Sequence, residues 1–208
     1  MLGTSKDIKY PGLNILPPGV ERHVVNGGGL TGFQIFPDDE VEIINNEGNQ
    51  ICEIICFGKD GNSDLGILNL KSNNEKNFIR NILNGNDETI LATNYQLKKR
   101  NLKISNSKSS IIFDLDAEPG EKIKLKSKDK CYAIFSAPGE DMDVTKQNPP
   151  TDLTIFVKRA KIVNDKELNV IPDPVFEPVY EENINKETSI SYEVKEGEYI
   201  QIIDTGGR

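Results

Sequence analysis

One stretch of this chain is written twice. Phe33 to Asn49 (FQIFPDDEVEIINNEGN) recurs without a gap as Tyr192 to Arg208 (YEVKEGEYIQIIDTGGR). An offset of 159 residues places Phe33 on Tyr192, Ile35 on Val194, Val41 on Ile200, Ile43 and Ile44 on Ile202 and Ile203, and Gly48 on Gly207. A fixed-offset echo constrains architecture before any propensity argument. It predicts one complete unit and the opening of a second, cut short at Arg208.

The echo encodes a strand, a tight turn and another strand. Phe33–Phe36 is apolar and extended in character. Pro37-Asp38-Asp39 is turn chemistry, because proline pre-sets φ and aspartate tolerates turn geometry. Val41-Glu42-Ile43 alternates with period two, the mark of a strand with one face on a core. A second turn over Asn45–Asn49 leads into Ile51–Phe57. In the second copy Gly197 supplies the first turn and Gly206-Gly207 the second. Pro119-Gly120-Glu121 and the strand after it are a fainter third echo.

Short strands are also predicted at Val20–Val25, Ile90–Thr93, Leu102–Ile104, Ile111–Leu115, Lys122–Lys126, Cys131–Ser136 and Leu153–Val157. The one helix with a clear stripe is Asn74–Leu83, where Phe78, Ile79, Ile82 and Leu83 share a face and Gly85 follows. The expected fold is therefore mainly β, a barrel or sandwich of short antiparallel strands with one or two short helices. The domain reading is an N-terminal arm over 1–18, a β domain over 19–165, a linker over 166–187 and the start of a truncated repeat over 188–208.

Charge narrows the partners. Lys and Arg number 25 against 33 Asp and Glu, a formal net charge of −8. That balance argues against nucleic acid, whose binding needs a basic stripe, and against anionic membrane. No apolar run approaches a spanning helix, and Met1–Lys6 lacks a signal peptide's apolar core. Three cysteines in no framework spacing suit a reducing compartment, so a cytoplasmic location is expected.

Few residues carry candidate chemistry. His23 is the only histidine; its plainer account is a half-buried strand residue. Cys52 and Cys56 share a strand face but lie ~13 Å apart at strand rise, too far to chelate one ion. Cys131 approaches Cys52 or His23 if the fold brings them together, and a Cys/Cys/His metal site from His23, Cys52 and Cys131 is the open alternative to buried free thiols. Glu53 interrupts an apolar strand beside Gln50. A carboxylate there is either an acid–base group or an edge charge facing water.

These residues also carry a resemblance. Leu16–Val25 with the following glycines, Glu47–Glu53, Ser136–Gly139 with Met142, and Pro149–Leu153 resemble the urea carboxylase-associated family. The tandem arrangement, and Tyr192–Asp204 above all, resembles proteins in which two such domains precede a module similar to the glycine-cleavage T-protein. The resemblance implies a non-catalytic front module of an aminomethyltransferase-like protein, with tetrahydrofolate bound only by that downstream module. Its partners would then be the remainder of its own chain and a small amine or urea-like ligand. The alternative it implies is a metal-assisted hydrolase of a urea- or guanidine-like C–N compound, with zinc as the metal. Gln50, Cys52 and Glu53 fall on the family's Gly-x-Gln-x-Cys/x-Asp segment, with Glu53 where aspartate is usual.

Overall fold

The computed structural model describes residues 16–17, 19–73, 76–86, 88–139, 149–161 and, apart from positions 181, 183, 186, 196 and 199, residues 179–202. Positions 1–15 of the expected arm (1–18) and 166–178 of the expected linker (166–187) lie outside them, as do Met142 and the Gly206-Gly207 turn.

Eight strands form two antiparallel sheets. The first has the order β1 (Val20–Val25), β8 (Leu153–Lys158), β3 (Glu40–Asn45), β6 (Glu121–Lys126). The second has β2 (Leu30–Ile35), β7 (Cys131–Ser136), β4 (Cys52–Phe57), β5 (Ser110–Phe113). Alternation dictates the sandwich. Val25, Ile35, Val41, Ile43, Ile54, Phe135, Ile155 and Val157 all turn inward into one buried cluster. Each side chain of this size removed from water contributes about 1.5–3 kcal/mol, enough to hold the two sheets together.

The second sheet is covered on its outer face too. β4 is buried at every position, because α1 (Phe78–Leu83) and α2 (Glu88–Lys99) lie over it. Ile55, Phe57 and Ile134 meet Ile79, Leu83 and Leu97 there, in a second apolar cluster. Gly32 is required at this face, since a Cβ would stand 2.8 Å from the Tyr132 hydroxyl that lies across it.

The mainly β expectation holds, with most strands where periodicity puts them. Two predicted strands are corrected. Ile90–Thr93 belongs to α2, and Leu102–Ile104 runs into a single 3-10 turn over Ile104–Asn106. β-branched Ile90 and Thr93 argued for a strand locally. What decides the matter is the helical spacing to Leu97, which docks on the sheet, and the Asn94 amide donating to the Leu83 carbonyl at 2.7 Å. No helix among the described residues is long and apolar enough to cross a membrane.

The echo segment is unlike its counterpart in packing. Among the described residues, 179–202 carries no strand or helix. Val194, Ile200 and Ile202 are 43%, 49% and 87% exposed, whereas Ile35, Val41 and Ile43 are wholly buried.

Candidate functional site

Glu53 lies at the start of β4 and points to the outer, helix-covered face of its sheet. It is fully buried. Its Oε2 accepts the Ile79 backbone N–H at 2.5 Å, serving an orphan donor in the first turn of α1 that the Asn77 side chain leaves uncapped. Directly opposite on β7 is Ser136, its register partner. Ser136 is fully buried, and its hydroxyl has no hydrogen-bond partner among the described residues. A buried unpaired hydroxyl costs about 1–3 kcal/mol, so this position is held at a penalty.

Gln50 sits one turn earlier with both ends of its amide engaged. Nε2 donates to the carbonyls of Ile51 and Pro138, each at 2.9 Å, and Oε1 accepts the Thr151 N–H at 2.7 Å. Asn45 supports it, donating to the Gln50 carbonyl at 2.8 Å and accepting the Gly48 N–H. Gly27 lets the β1–β2 link close on the same point, where a Cβ would fall 2.3 Å from the Pro150 carbonyl oxygen. Gln50 thus ties three loops together at this end of the sandwich. Thr151 adds a second buried hydroxyl without a partner among the described residues.

His23 belongs to a different neighbourhood. Its ring stacks on Phe33 at 4.1 Å and its Nε2 lies 3.2 Å from Glu21 Oε2. Glu21 also receives Arg159 through Nε at 2.7 Å and Nη2 at 2.6 Å, and Arg159 Nη1 reaches Asp39 Oδ2 at 2.6 Å. The His23 hydrogen bond and then the Arg159 pair outweigh burial and hold the Glu21 carboxyl down at about 2. This hub fastens β1, the β2–β3 turn and the end of β8.

The cysteines divide by register. Cys56 faces Ala133 on β7, so Cys131 is its diagonal neighbour on the inner face. Cys52 would fall level with Ala137, six residues from Cys131 and ~20 Å along the strands. Burial raises the Cys52 thiol, with the Glu53 carboxylate adding to it. The bond to Cys131 and burial raise Cys56, and the same bond lowers Cys131. Among the described residues no three His, Cys, Asp or Glu side chains are grouped to hold a metal ion. His23, Cys52 and Cys131 are not brought to a common point for zinc.

Of the residues the sequence singles out, the fold brings Glu53 and Gln50 to one end of the sandwich and leaves His23 at another. Ser136 entered only as the first residue of the Ser136–Gly139 stretch in the family resemblance, with no chemical signal of its own beyond ending a strand. An open groove of ≈ 390 Å³ between α2 and the 3-10 turn, lined by Asn94, Leu97, Lys98 and Ser105 among others, offers no carboxylate, thiol or imidazole.

Comparison with known proteins bears on the chemistry. No family model matches the chain. It is 31% identical over 201 residues, 97% of its length, to the trimethylamine-oxide aldolase of Ruegeria pomeroyi. The chain spans 25% of that relative's length. A crystal structure of a DUF1989 family protein from Silicibacter pomeroyi aligns with 70% of this chain and 82% of its own, at 10% identity and a TM-score of 0.37, too remote to argue from. The aldolase match corrects the functional expectation. The aminomethyltransferase-like module and the urea or guanidine hydrolase are both set aside, because the sequence aligns with a protein named for an aldolase reaction on an amine oxide. The urea carboxylase-associated label finds no support in these matches.

Proposed function

We propose that this chain is a module of an enzyme that cleaves a carbon–nitrogen bond of a small N-methylated amine oxide, releasing a secondary amine and formaldehyde. The observation that carries this reading is the 31% identity over nearly the whole chain to the Ruegeria pomeroyi aldolase. The Glu53–Ser136 pair supplies a chemistry suited to it.

An amine oxide presents a cationic nitrogen beside an anionic oxygen. It asks for a carboxylate near the first and a hydroxyl donor at the second. Glu53 and the unpartnered Ser136 hydroxyl face one another across β4 and β7. A methyl proton passes to the Glu53 carboxylate, the C–H electron pair becomes the C=N bond, and the N–O bond breaks with its pair on oxygen. Ser136 hydrogen-bonds that departing oxygen, which is bound already protonated from solvent and so leaves as hydroxide. The methyl proton held by Glu53 then converts it to water, and the proton released when water later adds to the iminium carbon returns to solvent. Water adds to the iminium carbon, and the resulting carbinolamine splits to a secondary amine and formaldehyde. The N–O bond is the internal oxidant, so none is needed from outside. General acid–base help of this kind is worth about 100-fold to 10,000-fold.

The test is a chimera in which this chain replaces the aligned quarter of the Ruegeria pomeroyi aldolase. Incubated with trimethylamine oxide, it is expected to release dimethylamine and formaldehyde in equal amounts, read by proton NMR and aldehyde trapping. A folded chimera that leaves the substrate intact overturns the reading.

A further inference from the structure

Among the described residues one turn occurs three times, bond for bond. At Phe36–Asp39 the Asp39 N–H donates to the Phe36 carbonyl at 3.2 Å, and the Phe36 N–H donates to the Asp39 carboxylate at 2.9 Å. At Glu118–Glu121 the same two bonds measure 3.1 and 3.0 Å, through the Glu121 carboxylate. At Lys195–Glu198 they measure 3.0 and 2.8 Å, through the Glu198 carboxylate. The third residue has positive φ each time, 67° at Asp38, 77° at Gly120 and 85° at Gly197. That is the conformation a type II turn requires.

The first two turns open strands β3 and β6, which pair with each other from Glu40↔Lys126 to Asn45↔Glu121. The third opens a segment with no strand partner among the described residues. Its apolar residues are placed where the first copy is buried. Val194, Ile200 and Ile202, exposed here, stand at the positions of Ile35, Val41 and Ile43, whose exposure is zero.

We infer that Tyr192–Ile202, whose Lys195–Glu198 turn is already formed, becomes the β2–turn–β3 unit of a second sandwich of this same fold, its partner being the remaining strands of that sandwich. The sites it needs are those of β7 on one side and of β6 and β8 on the other, since these flank β2 and β3 in the first sandwich. Another copy of this chain cannot supply them, because its own β2 and β3 already fill them. The partner is therefore a sandwich lacking its own β2–β3, and the relative's length, four times the span matched, leaves room for it. This inference stands on the repeated turn and does not depend on the reaction proposed above.

Two experiments decide it. In the full chain, Phe33–Ile43 is replaced by Tyr192–Ile202, with a shuffled version of the graft as control. The graft is expected to unfold cooperatively and the shuffled control to fail. Hydrogen exchange is then followed at Gln201 and Ile202 in this chain and in the full-length chimera. Exchange is expected to slow at least 100-fold in the chimera. A graft no better than its shuffled control, equal exchange in both proteins, or protection gained by self-association of this chain overturns the inference.

Discussion

Glu53 and Ser136 are register partners on adjacent strands β4 and β7, both wholly buried beneath α1, yet the serine hydroxyl makes no hydrogen bond among the described residues. The carboxylate is spoken for by Ile79. The hydroxyl has no partner among the described residues, and a buried polar group of that kind is a place to look for function.

Ser136→Ala separates stability from turnover. Removing a buried donor that has no partner relieves a penalty, so the variant is expected to be as stable as the parent or up to about 1 kcal/mol more stable. Release of dimethylamine by the chimera is expected to fall by about tenfold or more, for loss of one hydrogen bond to the departing oxygen. Denaturant unfolding and an amine assay read the two effects independently.

Gln50→Leu tests the loop clip. The substitution leaves the Ile51 and Pro138 carbonyls and the Thr151 N–H without their partner. The expected loss is about 2–4 kcal/mol, from several buried backbone groups left unpaired. Calorimetry checks it as a lowered Tm.

The Arg159 hub gives a pH dependence. Glu21 titrates at about 2 in the folded protein against 4.5 as its ordinary value. A carboxyl depressed by folding lends stability that is fully present above its ordinary value and is lost as pH falls through the folded one. Stability is therefore expected to decline between pH about 4.5 and about 2. Glu21→Gln flattens that part of the curve, as read by urea midpoints across the range.

Thiol chemistry follows register and burial. All three cysteines are buried, and Cys52 and Cys56 have raised thiols. A thiol-reactive disulfide reagent at pH 8 is expected to label the folded protein only at the rate of opening, and all three sites at once in denaturant. Mass spectrometry of quenched samples reads this directly, and rapid labelling of Cys52 in the folded protein would contradict it.

Much of the architecture was legible because strands announce themselves by period two and their turns by Pro, Gly and Asp. Val20–Val25 and Cys131–Ser136 are found where the pattern places them. α2 was not legible, since Ile90 and Thr93 favour a strand locally and only docking of Leu97 on the second sheet decides otherwise. Glu53 could be noticed as a charge in an apolar run. Its partner could not, because the facing of Glu53 and Ser136 is fixed by pairing between strands 83 positions apart in the chain. Gln50 likewise reads as chemistry in sequence and as a clip in the fold, its partners being 88 and 101 residues away.

The most direct test is the rate of dimethylamine release from trimethylamine oxide by the chimera carrying Glu53→Gln. The amide keeps an oxygen for the Ile79 N–H, so folding is preserved and checked by an unchanged Tm. Loss of the base is expected to slow release by about 100-fold or more. A Glu53→Gln chimera that works at the parent's rate would contradict the assignment of the chemistry to this buried pair.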